Sequence, residues 1–260
     1  MLLEDKVALI SGVGPGLGRD IALAFAKEGA AVVLGARTES RVRELANEVA
    51  SGGARAAAVS LDVTASASCA AAVRAAVDQF GRLDILVNNA FDDGDFARFE
   101  QADLDSWRRT MDTNLFGTLQ LTQAAIAPMK AQGDGRIVMV NTMSVHRIRP
   151  RFGAYSASKA ALATATKTLA LELGAYGIRV NGVHPGYIWG DSVAQYFEFQ
   201  ASRRGVTPQE IYDEVAAETA LGYLPPSSEV AGSIVFFASD LSKPVTGQAL
   251  SVNAGHWFSS

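Results

Sequence analysis

Lys6-Val7-Ala8-Leu9-Ile10-Ser11 runs directly into Gly12-Val13-Gly14-Pro15-Gly16-Leu17-Gly18. The first six residues form a short apolar run, the pattern of a buried strand, and Leu17–Glu28 has the spacing of an amphipathic helix. Glycines between a strand and a helix let the backbone approach a pyrophosphate, whose charge then meets the helix N-terminus. The spacing is GxxxGxG, and Gly12 and Gly14 also satisfy the first step of GxGxxG. Gly12, Gly14, Pro15, Gly16, Leu17 and Gly18 are therefore candidate contacts for a dinucleotide. A glycine turn without a ligand has the same local pattern, so the rest of the chain must decide.

Working outward, the same alternation recurs. AVVLGA (31–36), ARAAAVSLD (54–62), DILVNNA (84–90), GRIVMVN (135–141), IRVNGVHP (178–185) and QALSVN (248–253) read as further strands. Helical patterns separate them at Glu39–Ala50, around Cys69, from Leu104 through Asn114 towards Lys130, and from Tyr155 to Glu172. Alternating β and α elements predict a single α/β domain spanning 1–260, doubly wound and Rossmann-like. Its seven-stranded parallel sheet would be flanked by helices on both faces. The segment from Trp189 to about Pro226 breaks the rhythm and is rich in aromatics. It is expected to be a lid insertion over the C-terminal sheet edge, where open α/β sheets bind ligands.

Composition narrows the function. The 260 residues carry a net charge of -4 without a long basic run, so nucleic-acid binding has no electrostatic footprint. The N-terminus lacks a secretion-signal pattern, and no apolar run reaches bilayer length, so a cytoplasmic protein without a membrane partner is expected. The single Cys69 allows no intrachain disulfide and reads as a small packed thiol. His146, His184 and His256 lack ligand spacing, so no metal site is expected. No GxSxG elbow supports a hydrolase.

Two positions carry the chemistry. Tyr155 and Lys159 in YSASK fall on one helix face. A cation near a phenol favours the phenolate, which could then take a proton from an alcohol or return one to a ketone. At the end of the second predicted strand, Gly35-Ala36-Arg37 offers no acid before Glu39. A carboxylate there would favour NAD through the ribose 2′-hydroxyl, whereas Arg37 suits a 2′-phosphate and favours NADP(H), with NAD(H) the alternative.

Taken together, the glycine motif at 12–18, Asp62-Val63, Asn88-Asn89-Ala90, Asn114, YxxxK at 155–159 and Pro185-Gly186 resemble the short-chain dehydrogenase/reductase family in its compact, single-domain form. The similarity runs from Lys6 to Gly255. It implies Tyr155 as general acid/base and Lys159 as the group that holds the nicotinamide ribose and lowers the Tyr155 pKa. Asn114 would position a water in a proton relay. Asp62 and Val63 would lie at the adenine, Asn89 and Ala90 along the riboses, and Pro185, Gly186 and Ile188 at the carboxamide. The family's usual serine is here Thr142, with Ser144 a possible substitute. NNAG is NNAF, which puts Phe91 beside the site. The threonine after Pro-Gly is Gly190, and the C-terminal signature is VNAG at 252–255. The resemblance also implies a homotetramer, or a homodimer.

The expected activity is interconversion of a secondary alcohol and a ketone. Phe91, Met143, Ser144, Phe152, Tyr187, Trp189 and Tyr196 are the candidate substrate contacts, and their rings suit a bulky, ring-containing small molecule. The same aromatics could instead pack the lid. His146, Arg147, Arg149 and Arg151 read as a solvated loop, with attraction of an anionic substrate or a cofactor phosphate the alternative. The competing readings are a non-catalytic NADP-binding sensor or scaffold and an NAD-preferring ring-alcohol dehydrogenase.

Overall fold

The seven apolar runs pair into one parallel sheet. The computed structural model describes residues 1–258. Its strands are β1 (Val7–Ser11), β2 (Ala31–Ala36), β3 (Ala56–Ser60), β4 (Ile85–Asn88), β5 (Gly135–Val140), β6 (Ile178–Pro185) and β7 (Ala249–Val252). They lie in the order β3-β2-β1-β4-β5-β6-β7. The order reverses between β1 and β4, where Ser11 is in register with Asn88. That boundary opens a crevice beyond the strands' C-terminal ends.

The period of two along each strand divides the core. Ala8, Ile10, Val32, Leu34, Ile85 and Val87 face one layer, in which Ile21 and Phe25 of α1 (Leu17–Lys27) and Val42 and Leu45 of α2 (Glu39–Ser51) are buried. Val7, Leu9, Val33, Leu86, Ile137 and Met139 face the other. There they meet α3 (Ser66–Phe80), α5 (Thr118–Gln132) and α6 (Gly153–Leu173) through Cys69, Leu121 and Leu162. Cys69 is the packed thiol expected, and burial raises its pKa.

The helix expected from Leu104 onward continues as read, with one change. α4 (Leu104–Met111) passes into a π-helical segment, Asp112–Gly117, before α5 begins. Such π segments are often found at functional sites. The 189–226 segment contains α7 (Asp191–Arg204) and α8 (Pro208–Ala217). Trp189 and Pro226 form a β-bridge, and the Trp189 amide donates to the Pro225 carbonyl at 2.8 Å, so the ends of the segment are held together. Phe197, Ala201, Ile211 and Leu224 give it a small core of its own. α9 (Ser227–Ala238) then returns the chain to the sheet against α1 and β5. It escapes sequence reading because its central residues are apolar nearly all round, leaving no amphipathic stripe.

Candidate active site

The glycine loop divides into packed and open positions. A Cβ on Gly12 would come within 2.5 Å of Ala90 backbone, and one on Gly18 within 2.5 Å of the Gly12 carbonyl. These two glycines let the β1 loop close onto the end of β4 and onto α1. Asn89 fastens the same junction, donating from Nδ2 to the Gly12 carbonyl at 2.8 Å and from its amide to Ser11 Oγ at 3.1 Å. At Gly14 and Gly16 a Cβ would meet nothing within 4 Å. Gly16, the N-cap of α1, has φ +90 and no side-chain cap. The Arg19 amide donates to the Gly14 carbonyl at 3.1 Å, and no side chain caps the Leu17 and Gly18 amides, which leaves these two donors for an anion.

Beside this loop lies a groove of about 230 Å³ at the C-terminal ends of the first four strands. Gly12, Gly14, Arg37, Asp62, Val63, Asn89 and Ala90 line it, so the fold gathers the adenosine-side dinucleotide candidates in one place, with the substrate candidate Phe91 beside them. Asp62 accepts from the amide and hydroxyl of Thr64, and the Thr64 hydroxyl bond is the main cause holding its pKa below the usual carboxylate value. Thr38, Arg41, Thr64 and Thr113 line the same groove without having been singled out in the sequence. A second arginine four residues after Arg37, near the start of a helix, was the available signal for Arg41.

On the other side of the crevice, Tyr155 occupies the first turn of α6 and Thr142 the end of β5. Thr142 Oγ1 accepts from the Ser144 amide at 3.1 Å, which leaves its own proton free to donate. Ser144 is tied to Thr142 through its backbone amide. Asn114 is fully buried on the π segment. It accepts from the Asp92 amide at 2.7 Å and donates to the Asp92 carbonyl at 2.8 Å and to Ser158 Oγ at 2.9 Å. It therefore links the loop after β4 to the residue preceding Lys159.

The acidity expected of Tyr155 is not what the structure shows. Burial pushes the phenol up to about 12, with the Thr142 hydroxyl acting in the opposite sense. Some of the tyrosine surface remains accessible, so its enclosure is not complete. Lys159 does not offset the burial because its Nζ donates to the Val140 carbonyl at 2.8 Å and lies 5.9 Å from the Tyr155 ring centre. Lys159 is itself buried, and the cost of burying its charge lowers its pKa to about 8.

The aromatic candidates separate into two groups. Phe91 sits edge-on to Tyr155, with centroids 6.5 Å apart, and Phe152 packs on Phe96 at 4.9 Å. Met143 is buried near Gly186. Gly186 itself ends β6 closely against Asn253, which a Cβ would approach to 2.8 Å, so this proline-glycine turn is anchored by the VNAG segment. Pro185 is buried and Ile188 half-buried just beyond. Trp189 and Tyr196, by contrast, pack on Phe197, and Trp189 also on Tyr212; Tyr196 joins the small core of the 189–226 segment, while Trp189 remains exposed. Tyr187 joins both groups through Phe197 and Arg149.

A family model described as Enoyl-(Acyl carrier protein) reductase matches residues 12–256. The chain belongs to the short-chain dehydrogenase/reductase family. Among its relatives in this family, trans-4-hydroxycyclohexanecarboxylate dehydrogenase of Sinomonas cyclohexanicum is 38% identical, covering 97% of this chain and 93% of the relative. Galactitol 2-dehydrogenase of Agrobacterium fabrum is 34% identical over the full length of both. The crystal structure of an NAD+-bound xylitol dehydrogenase superposes with a TM-score of 0.90 at 29% identity, covering 97% of this chain and 99% of the other.

In this short-chain dehydrogenase/reductase Arg151 is exposed as expected, whereas Arg147 and Arg149 are not solvated cations. Arg147 reaches Glu218 beyond α8 and the ring of His256, and Arg149 reaches the Tyr187 hydroxyl. Both side chains are only half-exposed. Long-range partners of this kind leave no trace in local spacing. Among the described residues no cluster of three potential metal ligands occurs. No described helix is long and apolar enough to cross a membrane.

Proposed function

We propose that the protein interconverts a secondary alcohol and a ketone, with Tyr155 as general acid/base. The observation that carries this reading is the position of Tyr155. Its ring stands edge-on to Phe91, which lines the glycine-edged groove, with centroids 6.5 Å apart. The open Gly14 and Gly16 and the uncapped α1 terminus fit a dinucleotide pyrophosphate. Asp62 and Val63 would hold the adenine end, Asn89 and Ala90 the riboses, and Pro185, Gly186 and Ile188 the carboxamide end. When bound, a nicotinamide cofactor supplies or accepts the hydride.

The chain's own residues manage the proton. In reduction Tyr155 delivers its hydroxyl proton to the carbonyl oxygen, which also accepts from Thr142. In oxidation Tyr155 receives the proton back. Lys159 would bind the ribose hydroxyls, and Asn114 would hold the π segment and Ser158 in place for proton replacement. Arg37 and Arg41 in the groove favour NADP(H) over NAD(H), because both cations are exposed where the adenosine ribose would lie. Phe91, Met143 and Phe152 favour a ring-containing substrate, a class also represented by the substrate in the name of the cyclohexane-ring relative. A second copy of the chain is the expected partner, by family resemblance.

The test is Tyr155→Phe. Titration calorimetry with NADPH should show binding within a few-fold of the parent, while NADPH oxidation with cyclic ketones falls by about 10²-fold or more. Full turnover by the variant would end the assignment.

A further inference from the structure

Arg147 and Arg149 lie two residues apart but differ in charge balance. Arg147 is paired with Glu218, which also contacts His256. Arg149 forms no salt bridge among the described residues. Its guanidinium lies 5.5 Å from the ring centre of Phe152 and 5.1 Å from that of Tyr187, and it donates to the Tyr187 hydroxyl. A half-buried cation held by two aromatic faces and a phenol has its position fixed, and it touches no carboxylate among the described residues, although Glu218 is near enough to feel its charge.

Its place in the fold is equally specific. Arg149 lies on the loop leaving β5 after Thr142, and its carbonyl accepts from the Phe152 amide at 3.3 Å. Phe152 precedes Tyr155 by three residues, so the two share a side of α6's first turn. Tyr187 leaves the end of β6 directly after Pro185-Gly186. The cation therefore bridges the loop after β5, at the start of the helix that carries Tyr155, and the turn that leaves β6. The acidic turn Asp92–Asp95 belongs to the β4 loop and is tied to Asn114 instead.

We propose that Arg149 anchors an oxyanion, carboxylate or phosphate, carried by the substrate, with Tyr187 fixing the guanidinium's orientation. The proposal rests on the reading of Tyr155 as the reacting centre and adds the substrate's charge to it. A planar guanidinium presents paired donors that match either oxyanion, which a solvated lysine would not orient as well. The aromatic walls would take the apolar body of the same molecule.

The test is direct binding of unreactive ring compounds, read by calorimetry on the full chain. Cyclohexanecarboxylate or cyclohexyl phosphate should bind about tenfold or more tightly than uncharged cyclohexanecarboxamide. Whichever of the two anions binds more tightly identifies the oxyanion. Arg149→Met should erase the difference, and Arg149→Lys should restore part of it. A thermal melt of each variant checks folding. Equal binding of acid and amide by the parent, or an acid preference that survives in Arg149→Met, would overturn the proposal. A clear Arg149-dependent preference, together with full turnover of cyclic ketones by Tyr155→Phe, would uphold the anchor and defeat the assignment of Tyr155 as the reacting centre.

Discussion

Lys159 Nζ is hydrogen-bonded to the carbonyl of Val140 at 2.8 Å and stands 5.9 Å from the centre of the Tyr155 ring. The two residues share a helix face, as their spacing requires, yet the ammonium is turned towards the end of β5. The amine is thus held by the sheet, and the phenol keeps its proton. That arrangement determines how each group responds to pH and to substitution.

Lys159 should lower stability at neutral pH. Burial lowers its pKa from 10.5 to about 8. Below pH 8 the folded chain carries a buried charge. Between about 8 and 10.5 the folded chain has released a proton that the unfolded chain retains, so stability rises with pH across that window. Lys159→Met should therefore be more stable at pH 7 by about 1–2 kcal/mol, after allowing for the lost bond to Val140, while turnover disappears. Urea unfolding at pH 7 and above pH 10 measures this. A variant less stable than the parent at both values would contradict the burial argument.

Tyr155 responds in the opposite sense. Its pKa is raised from 10.0 to about 12, so the folded chain retains the phenolic proton between those values and loses stability as pH rises through them. At neutral pH the hydroxyl is a proton donor, which suits ketone reduction. Oxidation needs the phenolate, so its rate should climb about tenfold per pH unit through the weakly alkaline range, while reduction stays nearly flat. Initial rates in both directions across that range test the assignment. An oxidation rate independent of pH would place the base elsewhere.

Gly12 and Gly14 should fail differently. Gly12→Ala would force a Cβ to within 2.5 Å of Ala90 at φ +72, so the melting temperature should drop with an expected cost of about 2 kcal/mol or more. Gly14→Ala meets no atom within 4 Å, and its stability should stay within about 0.5 kcal/mol of the parent. If the groove receives a pyrophosphate, Gly14→Ala should nonetheless lose dinucleotide affinity by about tenfold or more. Differential scanning calorimetry and NADPH titration separate the two effects.

Cofactor choice should reside in Arg37 and Arg41. Replacing both with Ala should weaken NADPH by about 10–100-fold and change NADH by only a few-fold, since a 2′-phosphate loses two charge-assisted partners. Parallel titrations with the two reduced cofactors are the measurement. Equal losses for both would show that these arginines stack on the adenine and do not read the phosphate.

Some features were legible because they are local. β-branched runs, glycine spacing and the YxxxK interval each depend on a few consecutive residues, and the strands match the expected segments with only their ends trimmed. The structure also brings the glycine loop, Arg37, Asp62, Asn89 and Ala90 into one groove. Arg41 was missed because its importance depends on the turn between β2 and α2. The partners of Arg147 and Arg149, Glu218 and Tyr187, are 71 and 38 residues away.

The sequence by itself determined the alternation of strands and helices, the sheet's parallel character and the family motifs. Hydrophobic period and backbone permissiveness are properties of neighbouring residues. Only the tertiary structure decided the phenol's acidity, the direction of the Lys159 amine, the packing of Tyr196 against the small core of the 189–226 segment, and the surroundings of Arg149. Desolvation and Coulomb interactions depend on which distant groups fold around a side chain, and no local spacing records that.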